Sequence, residues 1–210
     1  MKQFEKIDIE LLQKYDHPGP RYTSYPTAPL FSPAFGSAEY RGEILRTNSA
    51  EQKADLSLYF HFPFCDTLCY FCGCTMLVTR NREKIREYNS YLKKEIDMIA
   101  PIVSSQRKVV QLHWGGGTPS YLDPDEIVDI GMYIRNRFNY ADDIEAGVEI
   151  DPRGLTREHM AAFREVGFNR LSMGVQDFDE RVQTAVNRIQ PESITRDAVN
   201  WSRELGFQSI

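Results

Sequence analysis

Four cysteines, Cys65, Cys69, Cys72 and Cys74, crowd the stretch HFPFCDTLCYFCGCTM, and the rest of the 210-residue chain holds none. A structural zinc site usually takes two separated pairs of Cys or His, so that the metal ties two chain segments together. Here all four thiols lie in one loop, and His17, His61, His113 and His159 stand singly. Three thiolates from one short loop suit a cubane 4Fe-4S cluster, whose iron corners take cysteine sulfur. With three protein ligands the fourth iron stays open. Cys74, one residue past Cys72, is awkwardly placed to share a cubane with the other three, so the cluster is assigned to Cys65, Cys69 and Cys72. Cys74 is then a substitute fourth ligand, a free thiol near substrate, or a small buried residue of the kind free cysteine often is.

Other chemistry-bearing residues are spread along the chain. Gly115, Gly116 and Gly117, followed by Thr118, would let backbone approach a ligand closely. A glycine-rich turn before the next helix is the alternative, since a lone glycine run is a weak motif. In IEAGVEI, residues 144–150, Ile144, Ala146, Val148 and Ile150 share one strand face and Glu145, Gly147 and Glu149 the other. A half-solvated strand would explain that alternation too, except that parallel strands are usually covered on both faces. Asp151 is read as capping the loop beside Pro152. Ser172, Gly174 and Gln176 share a face opposite Leu171, Met173 and Val175, with the Gln176 amide at the strand end.

These residues need a frame, and the pattern from residue 55 onward supplies one. LSLYFHF (56–62), KVVQLHW (108–114), IEAGVEI (144–150) and NRLSMGV (169–175) read as strands. Ile85, Tyr88, Leu92, Ile96 and Ile99 recur at helical spacing. Asp123, Pro124 and Glu126 fit the N-cap, first-turn proline and third position of a capping box, opening a helix to about residue 137. A helix over 156–166 is closed by Gly167, and two more, over 179–187 and 192–205, precede GFQSI, which starts a fifth strand. Repeated strand-helix units predict an α/β fold with a parallel sheet. The expected architecture is a partial TIM-like (β/α) barrel, truncated at the start of its fifth strand and forming the N-terminal part of a longer protein. In such folds ligands bind at the C-terminal ends of strands, which is where the cysteine loop, WGGGTP, EIDP and VQDF all fall.

Residues 1–54 read as a separate arm and 55–210 as the barrel domain. HPGPRYTSYPTAPLFSPAF carries Pro18, Pro20, Pro26, Pro29 and Pro33, so the arm is expected to be extended and irregular, packed by Tyr22, Tyr25, Phe31 and Phe35. A net charge of −5 leaves no basic footprint for nucleic acid. No apolar run approaches the roughly 20 residues of a membrane span, and the N-terminus lacks the apolar core of a secretory signal. The expectation is a cytoplasmic protein with reduced thiols, a monomer whose partners are small molecules.

The Cys-x3-Cys-x2-Cys spacing, with aromatic Phe71 before the third cysteine, is that of the radical S-adenosylmethionine enzymes. LYFHFPFCDTLCYFCGC, QLHWGGGTPSYL, VEIDPR, GFNRLSMGVQDF, VNRIQ and PRYTSYPTA together closely resemble the oxygen-independent coproporphyrinogen III oxidases (dehydrogenases) of haem biosynthesis, over nearly the whole chain and in order. The resemblance implies that the open iron takes the amino and carboxylate groups of S-adenosylmethionine, of which two molecules are expected. It implies that Phe71, Gly117, Thr118, Glu149 and Arg188 contact S-adenosylmethionine, and that Tyr59, Gly116 and Gln176 contact the porphyrinogen. Without it, Arg188 would read as a solvated helix-end charge and Tyr59 as core packing. The implied reaction is oxidative decarboxylation of two propionates of coproporphyrinogen III to vinyl groups, giving protoporphyrinogen IX, through a 5′-deoxyadenosyl radical and with an unidentified electron donor. The arm would serve as a lid, with Arg21 facing a substrate carboxylate. The rival is a haem chaperone of the same superfamily, which binds haem without decarboxylation; the Gly73-Cys74 ending and the PRYTSYPTA arm argue against it.

Overall fold

The computed structural model describes residues 8–17, 27–49, 51 and 53–210. The chain divides into two compact units, Met1–Gly42 and Glu43–Ile210. Helix α1 (Ile9–Tyr15) is capped by the Asp8 side chain, which accepts from the Leu11 N–H. Helix α2 (Ser37–Asn48) begins beyond the last proline of the arm. The expected irregular arm therefore needs correction: its prolines lie between the two helices and block neither. Phe31 and Phe35 are exposed and do not pack it. Arg21, Tyr22 and Tyr25 lie outside the described residues.

The larger unit is a four-stranded parallel sheet in the order β1 (Leu56–Phe62), β4 (Val109–Gly116), β5 (Tyr140–Ile150), β6 (Arg170–Met173). The crossovers are α3 (Arg82–Ile99), α4 (Pro124–Arg135) and α5 (Arg157–Glu165); α6 (Glu180–Ala185) and α7 (Glu192–Glu204) follow β6. One sheet face carries Phe60, Phe62, Leu112, Trp114, Ala146, Val148 and Ile150, buried in one cluster with Ile85 and Ile96 of α3, Ile127 and Ile130 of α4 and Phe163 of α5. Trp114 is its centre, with ring centroids 4.6 Å from Phe62 and 5.0 Å from Phe168. The Asp123–Glu126 capping box forms as expected.

The other face carries Ser57, Tyr59 and His61 on β1, Gln111 and His113 on β4, Glu145 and Glu149 on β5, and Arg170 and Ser172 on β6, aligned by register. These polar side chains line the concave side of an open, partial barrel. At the sheet's far edge Ser209 pairs with Arg170 in parallel, the first rung of the expected fifth strand.

Two local features depart from expectation. Strand β6 ends at Met173, because the chain turns out of the sheet and Gln176 takes a left-handed φ of 65°. A short parallel ladder also joins β2 (Phe64–Cys65) to β3 (Leu77–Val78), clamping the two ends of the cysteine loop.

Candidate functional site

The cysteine loop leaves the C-terminal end of β1 and folds over the ends of its neighbours. Cys65, Cys69 and Cys72 line one cavity of about 260 Å³. Phe71, Gly116, Gly117, Thr118, Glu149 and Arg188 line it too. Positions scattered over more than a hundred residues thus meet at the ends of four parallel strands, as barrel geometry requires. A larger cavity of about 530 Å³ shares Thr67, Thr118, Asp151 and Arg153 with the first but contains no cysteine.

Cys69 is buried, and two guanidinium groups reach its sulfur: Arg153 Nη2 at 3.4 Å and Arg188 Nη1 at 3.6 Å. Arg188 also donates through Nη2 to the Gly174 carbonyl at 3.0 Å and through Nε to Gln190 Oε1 at 3.1 Å. At 9% exposure it is no solvated helix-end charge. Its place among Cys69, Gly174 and Gln190 is set by tertiary contacts that helix spacing does not reveal.

Burial pushes the Cys65 thiol up to about 11, helped by the negative charges of Cys72, Asp151 and Cys69. Thiolate is the form that binds metal, so a cluster held by Cys65 would have to displace that proton. Three thiols on one cavity, with fixed cations against the most buried of them, fit a 4Fe-4S cluster, whose thiolate ligands and sulfides bring excess negative charge. Cys74 is exposed, which removes the reading of it as a small buried residue. Partial burial and the neighbouring Cys72 raise its thiol, and it lines the same cavity.

Glu149 accepts from His113 Nε2 at 3.3 Å and from the Gly116 N–H at 3.3 Å. The His113 hydrogen bond holds its carboxyl below the ordinary 4.5 against the opposing effect of burial. Glu149 therefore meets a ligand as a carboxylate, ready to accept from hydroxyl or ammonium donors.

The glycine run has an explanation within the fold. A Cβ at Gly117 would lie 2.7 Å from the Pro63 carbonyl carbon and 2.8 Å from Phe64 O, and Gly116 has a φ of +119°. The Gly117 and Thr118 N–H groups donate to Phe62 O and Phe64 O, both at 2.9 Å, binding the end of β4 to the chain entering the cysteine loop.

Two residues expected at the site stand apart from the cavity. Tyr59 is 57% exposed on the concave face, so it is not core packing. It stacks on His113 with centroids 5.8 Å apart and planes at 11°, and donates to His61 Nδ1 at 3.1 Å while His61 Nε2 donates to Thr75 O at 2.7 Å. Gln176 is exposed in the loop after β6, its amide folded over Gly174. Asp151 caps its loop as expected, accepting from the Arg153 N–H at 3.0 Å, but it also binds two arginine side chains. Sequence reasoning gave Arg153 no role; the one available signal was the Asp-x-Arg pairing just past a strand end.

A family model described as the Radical SAM superfamily matches residues 59–210. The oxygen-independent coproporphyrinogen III oxidase of Helicobacter pylori (strain J99) is 44% identical over 207 residues, covering 98% of this chain and 45% of that protein. The enzyme of the same name from Escherichia coli (strain K12) is 46% identical over 202 residues, covering 96% of this chain and 43% of that one. The solved structure of coproporphyrinogen III oxidase from Escherichia coli, described as a Radical SAM enzyme, superposes with a TM-score of 0.83 at 43% identity, over 95% of this chain and 44% of that chain. The chain thus spans less than half the length of these relatives.

Proposed function

Because the chain belongs to the Radical SAM superfamily, we propose that its cysteine-lined cavity serves the oxidative decarboxylation of two propionates of coproporphyrinogen III to vinyl groups, yielding protoporphyrinogen IX. Membership brings a 4Fe-4S cluster and S-adenosylmethionine as cofactors, which together supply a 5′-deoxyadenosyl radical after one-electron reduction. Cys65, Cys69 and Cys72 would hold the cluster. Glu149, kept ionised by His113, would accept from the ribose hydroxyls or ammonium of S-adenosylmethionine. Arg188, which donates toward Cys69, would contact S-adenosylmethionine together with Phe71, Gly117 and Thr118, all of which line the same cavity. Tyr59 on β1 and Gln176 in the loop after β6, both outside the cavity, and Gly116 within it would meet the porphyrinogen. Two S-adenosylmethionine molecules would account for ligand positions on several strand ends.

The observation that carries this reading is the convergence of the three cysteines with Gly117, Thr118, Glu149 and Arg188 on one cavity. The oxidase name borne by relatives at 44% and 46% identity supports it, and those relatives lend the haem-chaperone alternative no support. No helix among the described residues is long and apolar enough to cross a membrane. The reading also expects an external electron donor, a monomer, and a cytoplasmic setting that keeps the thiols reduced.

The test is anaerobic reconstitution of the intact gene product with iron and sulfide, followed by dithionite, S-adenosylmethionine and coproporphyrinogen III. Formation of 5′-deoxyadenosine with vinyl-bearing porphyrinogen is expected. Cluster formation and S-adenosylmethionine cleavage without decarboxylated product would overturn the substrate assignment, and failure to take up a cluster would overturn the reading altogether.

A further inference from the structure

Asp151 sits at the centre of a charge cluster with Arg188 and Arg153, of which the proposed reaction leaves Asp151 and Arg153 unassigned. Its carboxylate takes Arg153 through Nε at 3.0 and 3.1 Å and through Nη2 at 2.6 Å, and Arg188 Nη2 at 3.3 Å. The Asp151 backbone N–H donates to Ser120 Oγ at 3.0 Å, anchoring the carboxylate's own segment. A local ion pair two residues apart needs nothing further, yet the Arg153 fork reaches across the fold. Nη1 donates to Thr67 Oγ1 at 3.2 Å and Nη2 to Cys69 Sγ at 3.4 Å, both inside the cysteine loop. The side chains are mostly withdrawn from water, at 23% exposure for Arg153 and 15% for Asp151. Two guanidiniums and one carboxylate leave one net positive charge against the Cys69 sulfur, in surroundings that screen it weakly.

We propose that Arg153, fixed by Asp151, is a positioning residue that donates a hydrogen bond to the Cys69 thiolate and thereby sets the reduction potential of the cluster. This rests on the cluster reading above. Reduction by dithionite adds one electron to the cluster, raises its negative charge by one, and makes or breaks no covalent bond. A fixed cation and an N–H donor at a ligand sulfur stabilise that more negative form, and hydrogen bonds to sulfur and net charge are among the factors that set such potentials. Arg153 is suited to the task because guanidinium stays charged at every working pH and its fork can bind carboxylate, hydroxyl and sulfur together.

The experiment compares wild-type protein, Arg153→Gln and Arg153→Lys after anaerobic reconstitution. Iron and sulfide per chain are measured, and the midpoint potential is read from the electron paramagnetic resonance signal during a mediated dithionite titration. Arg153→Gln is expected to shift the midpoint to a more negative potential. Arg153→Lys, which keeps the charge but not the fork, should shift it less in the same direction. A wild-type potential in Arg153→Gln at wild-type iron content overturns the proposal. Should Arg153→Gln fail to retain iron, Arg153→Lys decides, an unchanged potential again overturning it. Wild-type protein that assembles no cluster would instead refute the proposed function, so the two failures are distinguishable.

Discussion

His113 controls the charge of the carboxylate most exposed to ligand. Its hydrogen bond is the largest influence lowering the Glu149 pKa, opposed by burial and aided by the His113 charge, the Gly116 N–H and His61. Replacing His113 with Phe should move the Glu149 pKa upward, because burial then acts with less opposition; carboxyl resonances followed by NMR across an acid titration would detect it. The sign for stability follows from the lowered pKa: these contacts stabilise the fold above the unfolded-state value and are lost as pH falls through the folded one. Cys65 behaves in the opposite sense. Its thiol is raised from 9.0 to about 11, so the metal-free chain keeps this stabilisation below pH 9 and loses it as pH rises toward about 11. The urea midpoint of metal-free protein should fall across that window, and the fall should shrink in Cys65→Ala.

Elements meet at the site through close backbone contact, and this gives Gly117 a role that precedes any ligand. A Cβ there would strike main-chain atoms of Pro63 and Phe64, which cannot rotate away as a flexible side chain could. Gly117→Ala should cost about 1–3 kcal/mol by overpacking. Urea unfolding of the metal-free chain measures it; a glycine needed only for ligand approach would leave that stability unchanged. The capping box of α4 offers a smaller test. Asp123→Ala removes the N-cap oxygen and should destabilise by about 1 kcal/mol. The β2–β3 ladder was illegible in sequence, since two-residue strands carry no period, yet it closes the cysteine loop at its base.

At the scale of the molecule, one face of the sheet makes a core around Trp114 while the opposite face stays polar and open. Trp114 is fully buried, so Trp114→Ala should cost roughly 3–5 kcal/mol and lower the cooperative unfolding transition of the larger unit. Much of this frame could be read directly. Apolar periodicity marks the four strands and the long helices, since each must bury one face, and the cysteine spacing is a local pattern that needs no fold to be recognised. Proline blocks helix only near where it stands, which is why α1 and α2 form on either side of the arm's proline run. By itself, then, the sequence determined the parallel α/β order, the capping box, and the spacing of the cysteines and their place at a strand end. Only the tertiary structure decided that Arg188 is buried, that Tyr59 lies open on the concave face, and that Arg153 and Arg188 both reach Cys69 from 84 and 119 residues away. Local spacing encodes what a segment buries; which charge meets which sulfur depends on how the strands align, and a guanidinium contact that distant in the chain leaves no trace in its neighbours.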